Sequence, residues 1–199
     1  MRSQIPFSRS AMAMAAASAV LAASSLHAQA ATPPGGASAS KAAPTQSSLS
    51  PASKADRDFF VGAAEDGTAE VELGKLAQQK GSEPVKAFGG QMVTDHTKAG
   101  DELKALAATK GVNLPASPGK HQKDIDKLAK KSGGDFDRDY SKHMVDAHQQ
   151  AVSKFEKAAK SADDPELKAF ASKTLPTLKQ HLEHAKSLNA SVKAAKKAG

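Results

Sequence analysis

The chain has 199 residues, with 28 lysines and arginines against 21 acidic residues, a net charge of +7, and no cysteine. The missing cysteine excludes a disulfide framework, a thiol nucleophile and a lipid-anchored lipoprotein. The lysines are scattered along polar faces rather than gathered with aromatics, which argues against a nucleic-acid partner and for a solvated surface.

Arg2 and Arg9 precede an alanine-rich apolar run that ends in "HAQA", a small-x-small cleavage pattern. This predicts a cleavable signal peptide over residues 1–30, and so a periplasmic or secreted protein. Nothing later approaches the roughly 18 consecutive apolar residues of a membrane helix, so no transmembrane segment is expected. Peripheral contact with the outer membrane or with anionic envelope lipid stays open, the tail 193–199 being the only basic cluster. Residues 31–51, rich in Pro, Gly, Ser and Ala, have almost no large apolar side chain to bury and read as a flexible leader. The remaining segment, 52–192, has the size of one domain.

Helix punctuation divides that domain. Ser53 and Asp56 resemble a capping box opening a first helix that runs to Lys80, with Lys80 facing solvent, before Gly81. Ser82 and Pro84 open a second helix that ends before Gly111. Ser117-Pro118 starts a short helix to about Lys131. Gly133-Gly134 break it, and Asp135 is placed to cap a third long helix reaching about Lys160. Asp164-Pro165-Glu166 opens the fourth. No window alternates with period two, so no strand is expected.

Each long segment carries an apolar stripe at spacings of three and four. The first helix gives Phe59, Ala63, Asp66, Glu70, Leu73 and Ala77; the second Val85, Phe88, Met92, His96, Ala99, Leu103 and Leu106. The third gives Phe136, Tyr140, Met144, His148, Ala151 and Phe155; the fourth Leu167, Ala171, Thr174, Leu178, His181, Ala185 and Leu188. Four such faces need one another, and a four-helix bundle follows, with the short helix in the connection between the second and third.

Among the polar interruptions of the stripes, Glu70, His96, His148 and His181 give one residue from each helix at similar depth. Asp66 and Asp95 lie within a turn of these residues, and Pro176 bends the last helix near the same level. Helices two and three share the pattern Met-Val-x-x-His, which puts Met92 beside His96 and Met144 beside His148. Imidazole with carboxylate suits zinc, iron or copper(II), and added thioether suits Cu(I). The competing expectation is a metal-free polar core in which Glu70 satisfies His148 and Asp95 satisfies His181. His143, His121 and His184 fall on a flank, on the short helix and one turn past His181, where solvent is the simpler surrounding.

The segments "FGGQMVTDHTKAGDELKALA", "FDRDYSKHMVDAH" and "FASKTLPTLKQHLEHA" resemble the domain of unknown function 4142 family, over essentially all of Ala52 to Asn189. The matching positions are Asp95-His96, Tyr140, Met144, His148, Leu175-Pro176 and His181. The resemblance implies an exported bacterial protein, of a kind often labelled putative outer membrane protein, with a ferritin-like antiparallel four-helix fold, and it brings no established activity. A ferritin-type di-iron site needs Glu-x-x-His on two helices. Here Val93, Val145 and Leu178 stand three residues before the histidines, which leaves a three-histidine, one-carboxylate site for one metal ion. There is no Gly-x-Ser-x-Gly and no phosphate-cradling loop, so no enzyme is expected. The expectation is an exported, non-catalytic bundle holding copper, zinc or iron at Glu70, His96, His148 and His181, with Asp66, Asp95, Met92 and Met144 as additional candidates. The alternative is a metal-free envelope stress or interaction protein. The oligomeric state is left open.

Overall fold

A computed structural model of the protein describes residues 51–198. The expected signal peptide and nearly all of the leader lie outside the described residues. Five helices are formed: α1 (Lys54–Lys80), α2 (Glu83–Thr109), a short α3 (Gln122–Ala129) entered through the 3-10 turn Gly119–His121, α4 (Gly133–Ser161) and α5 (Pro165–Ala198). There is no strand among the described residues, and no helix among them is long and apolar enough to cross a membrane.

The helix starts show how local chemistry and tertiary contacts share the capping. Ser53 Oγ accepts the Asp56 N–H at 3.1 Å, as an N-cap should. The reciprocal half of a capping box does not form. Asp56 is buried, and its carboxylate accepts the N–H groups of Asp163 and Asp164 at 3.2 and 2.8 Å, so it caps the α4–α5 turn instead. The Ser82 side chain makes no cap bond; its own N–H is held by the Asp137 carboxylate of α4 at 3.1 and 3.3 Å. Asp164 does cap α5, its Oδ1 accepting from the N–H groups of Glu166 and Leu167, each at 2.9 Å.

Two starting expectations are corrected. Gly133-Gly134 do not end the short helix, which stops at Ala129; Gly133 instead opens α4, with φ +54° after an extended Ser132. Asp135 lies inside the first turn, paired with Arg138. Nor does Lys80 project idly into solvent, since its ammonium donates to the carbonyls of Ala129 and Lys131 at the end of α3.

Contacts between helix ends give the topology. Lys110, just past α2, reaches Asp164 and Glu166 at the start of α5 at 2.7 and 2.5 Å, whereas the start of α2 meets the start of α4 through Ser82 and Asp137. Helices α2 and α4 are therefore parallel, and the connection 110–132 with α3 travels the length of the bundle. Up, down, long crossover, down, up is the connectivity of a ferritin-like bundle. The large contacts lie within the hairpins α1/α2 and α4/α5.

The core forms two apolar clusters. One holds Phe60, Leu103, Phe155, Leu167, Phe170 and Leu178. The other holds Leu73, Phe88, Met92, Phe136, Tyr140, Met144 and Leu188. The α4 stripe is buried as expected throughout; elsewhere the buried face is rotated slightly, with Phe60 and Ala107 fully buried and Phe59, Leu106 and Thr174 partly so.

In the α1/α2 hairpin a glycine pair permits close approach. A Cβ at Gly89 would stand 2.7 Å from Ala77 Cβ and 2.7 Å from the Gly74 carbonyl oxygen. Because one obstacle is backbone, Gly89→Ala is expected to force the helices apart and cost about 1 to 3 kcal/mol. Urea denaturation measures this, and an unchanged or raised midpoint would contradict the close crossing.

Candidate metal centre

The polar residues that interrupt the four stripes meet in one layer. Glu70 comes from α1, His96 from α2, His148 from α4 and His181 from α5. The three imidazole centroids form a near-equilateral triangle, 5.7 Å from His96 to His148 and 5.4 Å for the other two sides. Glu70 Oε2 stands 3.2 Å from His96 Nε2 and 3.3 Å from His148 Nε2. His148 and His181 are 0% and 1% exposed, and the side chains of Glu70 and His96 only 7% and 10%.

The bonds made at the rear of two rings decide which nitrogens face inward. His148 Nδ1–H donates to the Met144 carbonyl at 2.9 Å, leaving the lone pair on Nε2. His181 Nε2–H donates to Asp95 Oδ2 at 2.9 Å, leaving the lone pair on Nδ1. Hydrogen bonds of this kind from carboxylate or carbonyl to the far nitrogen fix ring orientation in metal-binding histidines.

Among the described residues, the buried side-chain atoms left without a hydrogen bond are Glu70 Oε2, His96 Nε2, His148 Nε2, His181 Nδ1 and the Tyr140 hydroxyl. The carboxylate oxygen is near both Nε2 atoms but out of line for hydrogen bonding to either. Since buried polar groups are nearly always paired, four unpaired donors converging on one layer are unusual. One nitrogen from each histidine lies within 4.8 Å of the others. Metal–nitrogen bonds of about 2.0–2.1 Å ask each donor to move inward by roughly an ångström or less.

Electrostatics follows from burial. Desolvation, and then the neighbouring Asp66, push Glu70 up to about 8. Desolvation, followed by the two other histidines, holds His96 down at about 3. His148 is lowered to about 4, mainly by desolvation and against its bond to Met144. His181 is also lowered by desolvation, which Asp95 opposes. Burial and the Glu70 charge keep the Tyr140 hydroxyl well above its ordinary value. At neutral pH the imidazoles are therefore unprotonated, the state in which they can bind a metal ion.

The additional candidates divide. Asp95 belongs with the cluster through His181. Asp66 does not join it, because its carboxylate is taken by His121 Nε2 at 2.8 Å and by Lys154. This pairing ties the 3-10 turn to α1 and α4, so His121 is a structural partner rather than a free surface residue. Met92 and Met144 are fully buried among Phe88 and Tyr140, and the tie from Met144 to the cluster runs through its carbonyl. His143 is partly buried on α4. His184 donates from Nδ1 to Gln91 at 3.0 Å and meets the Phe88 ring edge-on. The Tyr140 hydroxyl was legible only as stripe; nothing in its spacing showed that it would be left without a partner.

An all-helical up-down-down-up bundle with three histidines and a glutamate inside defines a ferritin-like protein without the paired Glu-x-x-His motifs of a di-iron centre. The chain belongs to the domain of unknown function 4142 family (DUF4142), whose model matches residues 40–188. No curated protein sequence matches it. Among solved structures it is similar to a DUF305 fragment from Deinococcus radiodurans, with TM-score 0.62 and 14% identity over 71% of this chain and 99% of that one. It is also similar to CopM in its Cu(II)-bound form, with TM-score 0.56 and 17% identity over 68% of this chain and 96% of that one. At these identities the likeness shows the fold.

Proposed function

We propose that this protein is an exported, non-catalytic metal-binding bundle that holds one transition metal ion through His96 Nε2, His148 Nε2, His181 Nδ1 and Glu70 Oε2. The observation that carries this reading is the convergence of four buried donor atoms that have no hydrogen-bond partner. Asp95 orients His181, and the Met144 carbonyl orients His148. Three imidazole nitrogens and one carboxylate oxygen suit copper(II), zinc or iron, and copper(II) binds most tightly in the usual order of divalent ions. A protein of similar fold, CopM, is known in a Cu(II)-bound form, which makes copper(II) the first ion to test. The buried layer sits between two apolar clusters, a setting that favours holding an ion over turning over a substrate. Export places the protein in the periplasm or outside the cell, where peripheral contact with the outer membrane is open to it.

The deciding experiment is copper(II) titration of chelator-stripped protein purified without a histidine tag. Isothermal titration calorimetry with elemental analysis should give one tightly held ion per chain, and the same for His121→Ala, whose imidazole serves Asp66. Failure of the wild type to retain copper, zinc or iron after gel filtration sinks the proposal.

A second reading has one observation in its favour: with Glu70 raised and the histidines lowered, all four groups are neutral near pH 7. A neutral polar layer would set bundle register without metal, as in an envelope stress or interaction protein. This reading leaves the four donors unpaired, and it predicts no change in melting temperature on adding metal.

A further inference from the structure

The donor layer is buried, so an ion needs a way in. Along the α1/α2 hairpin the spacing between backbones changes. At Gly74 and Gly89 an added Cβ would meet the facing helix at 2.7 Å, whereas at Gly67 and Gly100 it would meet nothing within 4 Å. Gly67 lies one turn before Glu70 and Gly100 one turn after His96. Both line a cleft of about 610 Å³ bordered by α1, α2 and the crossover segment 112–116. The same cleft reaches inward to Glu70, His96 and His181. Its inner wall includes Leu103, Phe155 and Leu178, which bound it on the side of one apolar cluster.

Glycine inside a helix costs about 1 kcal/mol relative to alanine. Gly74 and Gly89 have a steric reason for that cost. Gly67 and Gly100 have none, since a Cβ at either would meet nothing within 4 Å and neither has a positive φ. What they do is keep side chains away from the opening over the histidines. Asp95 also lines this cleft; its side chain is 34% exposed while holding the 1%-exposed His181. One residue thus connects the solvent side to the buried ring.

We propose that the cleft opening at Gly67 and Gly100 is the route by which a metal cation reaches the histidine–glutamate layer, with Asp95 the last carboxylate it passes. The proposal rests on the metal-binding reading. Filling the opening should slow uptake without changing what is finally bound. Leucine is a good helix former and has open space at both positions, so the double variant Gly67→Leu/Gly100→Leu should fold at least as stably as the wild type.

Stopped-flow mixing of chelator-stripped protein with copper(II) should show uptake slowed on the order of tenfold in the double variant, because binding would then wait for local opening of the bundle. Stoichiometry and the electron paramagnetic resonance signature should match the wild type. A control, Gly134→Leu at the start of α4, has equal open space and should load at the wild-type rate. A metal-free readout accompanies this. Diethyl pyrocarbonate should modify His96 more slowly in the double variant, followed by mass spectrometry, while exposed His184 reacts as before. Equal copper uptake and equal His96 modification in wild type and double variant overturn the route. A wild type that takes up no copper, zinc or iron overturns the metal reading and the cation with it; the diethyl pyrocarbonate comparison then still decides whether the cleft is the opening to the histidines.

Discussion

His148→Ala is expected to erase the stabilisation that copper(II) gives to the chelator-stripped protein. A ligand that binds only the folded state raises stability by about 2.7 kcal/mol at a hundredfold excess over its dissociation constant, and removing a fully buried donor takes that gain away. His148 is the most constrained of the three rings, 0% exposed and held through Nδ1 by the Met144 carbonyl. His96→Ala should behave alike. Asp95→Asn should weaken affinity by roughly 10- to 100-fold without abolishing binding, as loss of an orienting partner does. His121→Ala makes the contrast: it strips Asp66 of a partner and lowers the metal-free melting temperature, yet the copper-induced shift should persist. Differential scanning fluorimetry at several copper concentrations reads all four variants. An undiminished copper shift in His148→Ala would remove the metal reading, because no remaining set of buried donors could replace that ring.

The four residues of the layer were legible because they interrupt mostly apolar stripes at the same depth on four helices, and helical periodicity says which residues share a face. Helix boundaries were legible for a related reason: Ser53, Pro84, Gly111 and Asp164 act through backbone chemistry that neighbours rarely override. Asp66 shows where this reasoning ends. It shares the stripe with Glu70, but the crossover brings His121 and α4 brings Lys154 to the same level, and periodicity within one helix holds no record of which elements arrive beside it. The second role of Asp56, capping a turn more than a hundred residues away, is hidden for the same reason. Ring orientation was out of reach too. That His181 presents Nδ1 rather than Nε2 depends on Asp95 lying across the helix interface, although the pairing of those two residues was anticipated.

The arrangement of the layer explains how a cysteine-free bundle can tolerate unpaired polar atoms in its interior. Apolar clusters built around Phe60, Phe155 and Phe170 and around Phe88, Phe136 and Tyr140 supply the packing. Asp56, Lys110, Asp137 and Asp164 secure the helix ends. The donors are thus held by contacts they do not make themselves, which is the preorganisation a binding centre requires. The unmet hydrogen bonds of the metal-free state are a stability cost that a bound ion would offset.

That cost should appear as a pH dependence carried by Glu70. Its carboxyl is raised from 4.5 to about 8 on folding, so the folded protein holds the proton more tightly than the unfolded chain does. The resulting stability is fully present below about pH 4.5 and is lost as pH rises through 8. His96 and His148 act in the opposite sense. Lowered from 6.5 to about 3 and about 4, they contribute stability above pH 6.5 that is lost as pH falls toward 4 and below. Between pH 4.5 and 6.5 the two histidines outweigh the one carboxyl, so metal-free wild type should be most stable near pH 6.5 and weaken on both sides. Glu70→Gln keeps the shape of the neutral carboxyl and cannot ionise, so its alkaline decline should disappear while the acidic one remains. At pH 8.5 the variant should be more stable than wild type, and at pH 5 nearly equal to it. Urea titrations from pH 4 to 9 in chelator would measure this; parallel wild-type and variant curves would show that Glu70 ionises as freely in the fold as out of it. With copper(II) added the order at pH 8.5 should reverse. Wild type then gains the ion in exchange for the Glu70 proton, and Glu70→Gln, with no carboxylate to offer, gains far less.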